Sequence, residues 1–183
     1  MRIGQYLLFL SMVFLMAGCE ESTGEKTDFS PGERAAEAEK FAEFLEREFQ
    51  EDLRSSPILQ TKLGIKWDYG KWGDFSSQRY TQKLNQAKGR LAYLEDSIHP
   101  QALTGQAALS YRLYKQQMEQ VVEDYKFRFY NYPVNQVSGL QTKIPSFLIN
   151  FHLLDSVSDA KAYISRLYKL PQVMEEIIEG LKL

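Results

Sequence analysis

The chain has 183 residues, with 22 Lys and Arg against 24 Asp and Glu and a formal net charge of −2. That balance, with no basic stripe, excludes the phosphate-neutralising chemistry on which nucleic-acid binding depends. A single cysteine, Cys19, excludes a disulfide framework within the chain, so stability must come from apolar packing, for which the length suffices for one domain.

The start of the chain reads as an address label, not a folded element. Arg2 is the only charge before Glu20, residues 6–16 form an apolar core, and Ala17 and Gly18 are small. An uncharged stretch over residues 3–19 is at the short limit for spanning ~30 Å of hydrocarbon, so cleavage is favoured over retention as a transmembrane helix. Leu15-Met16-Ala17-Gly18-Cys19 resembles the bacterial lipobox, which ends at a cysteine that is lipidated before cleavage. The expectation is a lipoprotein signal peptide over 1–18 and a membrane anchor at Cys19, because two or three acyl chains hold where one does not. Residues 19–29, polar and without a periodic apolar face, read as a flexible tether.

The remaining 30–183 are read as one incomplete helical domain. Ser30-Pro31-Gly32-Glu33 combines an N-cap, a proline at the first helical position and a capping-box glutamate. The helix that follows should bury Ala38, Phe41, Leu45, Phe49 and Leu53. Ser55-Ser56-Pro57 ends it and can cap a short second helix, closed by Gly64 as a left-handed residue. A loop rich in rings and glycines comes next, with Trp67, Tyr69, Trp72 and Phe75. Packing of those rings on the helices is preferred over the alternative, a carbohydrate-stacking platform.

The clearest stripe is Tyr80, Leu84, Ala87, Leu91, Leu94 and Ile98, stopped by His99-Pro100. Thr104 can cap the next helix, whose stripe is Ala107, Tyr111, Tyr114, Met118, Val121 and Tyr125. The short link predicts an antiparallel hairpin of two long helices. Periodicity then breaks through an ordered loop containing Pro133. A short proline-initiated helix is expected over 144–151, another start at Ser156, and a last helical stretch opened by Pro171 with Met174, Ile177, Ile178 and Leu181 as one apolar stripe. No segment of the domain alternates with period two, so the fold class is all-α: a helical array built on that hairpin.

The chemistry-bearing patterns are missing. There is no His-Glu-x-x-His, no Gly-x-Ser-x-Gly elbow and no phosphate-cradling loop, and lipidation removes the only thiol. His99 and His152 stand alone and read as satisfied structural or surface histidines. No catalytic, metal-binding or cofactor-binding residue is assigned.

One further pattern is longer. Tyr132-Pro133-Val134-Asn135-Gln136 with Gly139, and Asp159-Ala160 followed by Tyr163-Ile164-Ser165-Arg166-Leu167, resemble the bacterial family called domain of unknown function 885. Ser56-Pro57, Thr61, Leu63-Gly64, Asp74-Phe75-Ser76 and Leu170-Pro171 fit the same family in the same order. The resemblance implies the N-terminal part of a larger helical, zinc metallopeptidase-like fold, often a secreted lipoprotein. The metal motif would lie in a C-terminal region beyond this sequence, so zinc and a peptide substrate belong by implication to full-length relatives, and no cofactor to this chain. The expected protein is a lipid-anchored component of the cell envelope, on the outer membrane facing the periplasm, not catalytic by itself. The alternative is a stand-alone binding or scaffold lipoprotein with the loop around Trp67 and Phe75 as its contact surface. The expected partners are the membrane through Cys19, and the family's C-terminal region.

Overall fold

The computed structural model describes residues 28–130 and 132–182. Among them every regular element is helical: α1 (Pro31–Ser55), α2 (Pro57–Lys62), α3 (Gln78–Ser97), α4 (Gly105–Asp124), a 3₁₀ turn (Tyr125–Phe127), α5 (Leu140–Asn150) and α6 (Val157–Leu181). The protein is all-α. The signal peptide, Cys19 and the tether up to Thr27 lie outside the described residues. No described helix is long and apolar enough to cross a membrane.

Local chemistry sets the helix starts. Ser30 Oγ accepts from the Glu33 amide at 3.3 Å while Glu33 Oε2 accepts from the Ser30 amide at 2.8 Å, a closed capping box. Ser56 caps α2 through the Leu59 amide at 3.2 Å. Gly64 ends α2 at φ +76, where the Ile65 amide reaches back to the Gln60 carbonyl at 2.8 Å. Thr104 does precede α4, but its hydroxyl makes no capping bond.

Helices α3 and α4 form an antiparallel hairpin. Thr81 near the start of α3 shares a hydrogen bond of 3.1 Å with Tyr125 just past α4, and Glu95 near the end of α3 pairs with Lys115 in mid-α4 at 3.5 Å. Helix α1 lies in the groove between them, and the first core gathers Phe41, Phe44, Leu94, Ile98, Leu103 and Tyr111. The expected α1 stripe needs correction: Phe44 is buried and Phe49 is 44% exposed. The reason is that α1 faces two helices at once. Phe44 stacks on Tyr93 of α3 at 4.6 Å and meets Tyr114 of α4 edge-on at 5.6 Å, so the buried face is wider than a single stripe. Arg90 of α3 ties this unit to α1 through Glu48 at 2.8 Å and Asp52 at 2.6 Å.

A second core, Trp72, Ile144, Phe147, Leu148, Val173 and Ile177, joins the 63–77 loop to α5 and α6. Both prolines sit inside these helices, not at their starts. Helix α5 begins at Leu140, four residues before the expected start, with Pro145 inside it. Helix α6 runs unbroken through Pro171. Each proline leaves the carbonyl four residues earlier unpaired, but Gln141, Pro145, Leu167 and Pro171 are all exposed, so those carbonyls can turn to water. The expected C-terminal stripe is divided: Ile177 is buried and Met174 packs beside it, while Ile178 and Leu181 are each 50% exposed.

Candidate functional site

On α6, Asp159, Arg166 and Val173 recur every seven residues, close to two helical turns, so they share one inward face with Ile177. Arg166 is thereby carried into the interior with 0% exposure. Its helical neighbours three and four residues away are Ala162, Tyr163, Lys169 and Leu170, which offer no carboxylate. It finds only neutral acceptors, all from distant segments. Nε donates to the Lys71 carbonyl at 2.9 Å, Nη1 to His152 Nδ1 at 2.9 Å, and Nη2 to Thr61 Oγ1 at 2.7 Å, with the Pro57 carbonyl at 3.4 Å. Phe147, Tyr69 and Trp72 rings surround the guanidinium at 4.9, 5.4 and 5.5 Å and supply cation–π attraction. Burial lowers its pKa to about 10, which leaves it charged at neutral pH. Arg90 shows the contrast. There burial is outweighed by bonds to Asp52 and Glu48, and the guanidinium is held above its ordinary value.

A guanidinium can only donate, so His152 Nδ1 must be the acceptor and Nε2 must carry the proton. Nε2 donates that proton to the Asp159 carbonyl at 3.0 Å. The ring is 4% exposed, stacked on Tyr69 at 4.1 Å and met edge-on by Tyr163 at 5.2 Å. Burial, with Arg166 adding repulsion, holds its pKa below the ordinary value, and the imidazole is neutral. Asp159 faces the other way. Its carboxylate pairs with Lys66 at 2.9 Å and accepts from the Asp155 amide at 3.1 Å, and Lys66 chiefly holds its pKa low.

The same cluster straps the aromatic loop to α6. Trp72 Nε1 donates to the Arg166 carbonyl at 2.9 Å, Tyr69 to the Leu153 carbonyl at 3.1 Å, and the Phe75 amide to Glu176 at 3.0 Å. Gln60, 1% exposed, donates to the Leu53 carbonyl and accepts from the Asp68 amide. Trp72 and Tyr69 are buried, as the packing reading expects, whereas Trp67 is 62% exposed. His152 is a structural histidine with both nitrogens engaged; His99 is exposed and faces Glu37 at 3.5 Å.

The remaining motif residues gather elsewhere. Asn135 Oδ1 accepts from the Val137 and Ser138 amides at 3.0 and 2.8 Å, closing an Asx turn. The Leu140 amide donates to the Pro133 carbonyl at 2.7 Å, and Gln141 donates to the Asn135 carbonyl. A Cβ on Gly139 would lie 2.5 Å from the Asn135 backbone nitrogen, so this loop closes only around glycine. Tyr132 and Gln136 are exposed. Thus Tyr132, Pro133, Asn135, Gln136 and Gly139 form one loop that launches α5, and Arg166 belongs to the separate buried cluster. Cys19 lies outside the described residues.

What escaped sequence reading was the pairing of Arg166 with His152. The signal was an arginine on an apolar helical face with no acid at the neighbouring helical positions. Chemically the cluster is a cross-link: its imidazole is buried, neutral and doubly bonded, with no free edge for proton transfer. Among the described residues no three His, Cys, Asp or Glu side chains gather to hold a metal ion, so these residues do not fit a zinc site.

A family model described as "Bacterial protein of unknown function (DUF885)" matches residues 57–183, which include α2 to α6, the Arg166 cluster and the 132–139 loop. No curated protein and no solved structure matches.

Proposed function

The chain belongs to the DUF885 family of bacterial proteins, and from that premise we propose that it forms the N-terminal helical scaffold of an exported, lipid-anchored envelope protein of metallopeptidase-like kind. The observation that carries the scaffold role is the Arg166 cluster. The most polar part of the interior is wholly occupied in joining α2, the aromatic loop, the 151–156 link and α6. Hydrolysis by zinc-bound water is what the family resemblance implies for full-length relatives, and no residue of this chain is assigned to it. Anchoring rests on Leu15-Met16-Ala17-Gly18-Cys19, and Glu20 after the cysteine, in place of an Asp, favours the outer membrane.

The test is to express the full chain in a bacterium, recover it from the membrane fraction, and measure intact mass and peptide hydrolysis. The expected result is a chain beginning at a lipid-modified Cys19 and no zinc-dependent cleavage. An unmodified N-terminus overturns the anchor, and chelator-sensitive hydrolysis overturns the scaffold role. A second reading, a stand-alone binding lipoprotein, draws support from Trp67, whose ring stands exposed on an otherwise packed loop.

A further inference from the structure

Where the start of α3, the segment after the 3₁₀ turn and the last turn of α6 converge, they enclose a cavity of about 110 Å³. Arg79 and Arg128 both line it, together with Phe75, Phe129, Ile177 and Leu181. The two guanidiniums are half-buried, and among the described residues neither has a carboxylate partner. Among the described residues Arg79 donates only to the Tyr80 hydroxyl at 3.1 Å and Arg128 only to the Tyr125 carbonyl at 3.0 Å, so most of their ten N–H groups have no described acceptor.

Their flat faces, by contrast, are taken. Arg79 lies 4.9 Å from the Tyr80 ring and 5.8 Å from Phe75; Arg128 lies 4.2 Å from Tyr125 and 4.5 Å from Phe129. An edge-to-face contact of Tyr80 with Phe129 at 6.0 Å holds the two stacks together. A guanidinium stacked on rings has its orientation fixed and its N–H edge left for a planar anion, the arrangement that suits bidentate binding of a carboxylate. No described Asp or Glu lines the cavity, and the nearby Glu176 already accepts from the Phe75 amide and from Gln172.

We infer that this cavity is a binding site for a small organic carboxylate with an apolar body, the carboxylate held by Arg79 and Arg128 and the body against Phe75, Ile177 and Leu181. At about 110 Å³ the space is smaller than the ~150 Å³ cavity that holds one benzene ring, so it takes the carboxylate and the first few atoms of the body, and the rest of a longer ligand extends past the rim. The site goes beyond the scaffold role and does not depend on it. The chemistry has two sources, the C-terminal end of a peptide or a short fatty acid.

The experiment is calorimetric titration of the full chain in nonionic detergent with N-acetyl-phenylalanine, its amide, hexanoate, acetate and inorganic phosphate. Saturable binding of N-acetyl-phenylalanine or hexanoate, at least tenfold tighter than acetate, phosphate or the amide, supports the site. The tighter of the two identifies the source. Arg79→Gln and Arg128→Gln should each weaken binding about tenfold, and Arg128→Lys should recover only part, because lysine keeps the charge without the fork. Circular dichroism of each variant checks that the fold is kept. Equal affinity for acid and amide, binding of phosphate as tight as either acid, or unchanged affinity in both folded Gln variants overturns the inference.

Discussion

Replacing Arg166 by methionine keeps the apolar stem of the side chain out to about the Nε position and removes the fork that joins Thr61, Lys71 and His152. Three bonds of 2.7–2.9 Å are lost. Hydrogen bonds to a charged group contribute about 1.5–3 kcal/mol each. Against them stands the cost of burying an ion, several kcal/mol, which methionine no longer bears. The acceptors decide the balance. His152 Nδ1 would be left buried without a donor, at about 1–3 kcal/mol, and the part-buried Lys71 carbonyl would lose its donor at a smaller cost, whereas Thr61 keeps its own bond to the Pro57 carbonyl. The expected net loss is about 3 kcal/mol, a large share of a typical domain stability of about 5–15 kcal/mol. Urea unfolding of the full chain, followed by tryptophan fluorescence, measures it. Arg166→Lys should restore less than half, since one ammonium cannot meet three separated acceptors. A methionine variant within about 1 kcal/mol of wild type would refute the reasoning, because the cluster would then hold nothing together.

Other expectations follow from the same contacts. His152 has a folded pKa below its ordinary 6.5, so the unfolded chain binds more protons as pH falls; its contribution is complete above about pH 6.5 and is lost progressively below it, and His152→Gln should flatten a plot of urea midpoint against pH between 7.5 and 5. Asp159, with its pKa lowered from 3.8, acts in a separate and more acidic window, so its loss of stability appears only as pH falls through and below that value. Gly139→Ala should destabilise by about 1–3 kcal/mol, because its methyl group would meet backbone at 2.5 Å, whereas Gly89→Ala in mid-α3 has nothing within 4 Å and should stabilise by about 0.5–1 kcal/mol; thermal melts compare them. Tyr114 has a buried hydroxyl with no hydrogen-bond partner among the described residues, and burial raises its pKa to about 12. Tyr114→Phe should therefore leave the unfolding midpoint equal or higher.

Much of the helical framework could be read from spacing because its causes are local. The Ser30 capping box, the Ser56 cap, Gly64 and the stripes of α3 and α4 each depend on residues within a few positions of one another, and the structure contains all of them. The failures share a cause of the opposite kind. Phe44 is buried because α1 meets two partners, and nothing within α1 states how many helices will surround it. Pro145 and Pro171 look like helix starts in isolation and are tolerated inside helices only because their faces are exposed, a property of the assembled protein. Arg166 could be marked by its motif but not explained, since its partners lie 14 to 109 residues away. The Arg79 and Arg128 cavity is harder still, for it is made of three segments whose convergence no periodicity encodes.

The long reach of Arg166 also orders events in time. Helices α1, α3 and α4 close the first core with residues no later than Tyr114, so that core is complete before α5 and α6 have been synthesised. The aromatic loop is made early as well, but the core around Trp72 cannot close until Phe147, Arg166 and Val173 exist. A growing chain therefore carries finished helices beside an open loop with two bare rings for the interval in which some ninety residues are added, since Lys71 and Arg166 are 95 apart. Contacts of such separation close slowly, because the chain must surrender the entropy of the whole intervening loop first. The interior charge that fastens the loop thus arrives late, and the interval before it is when the chain is most exposed to proteases and to other unfinished copies of itself.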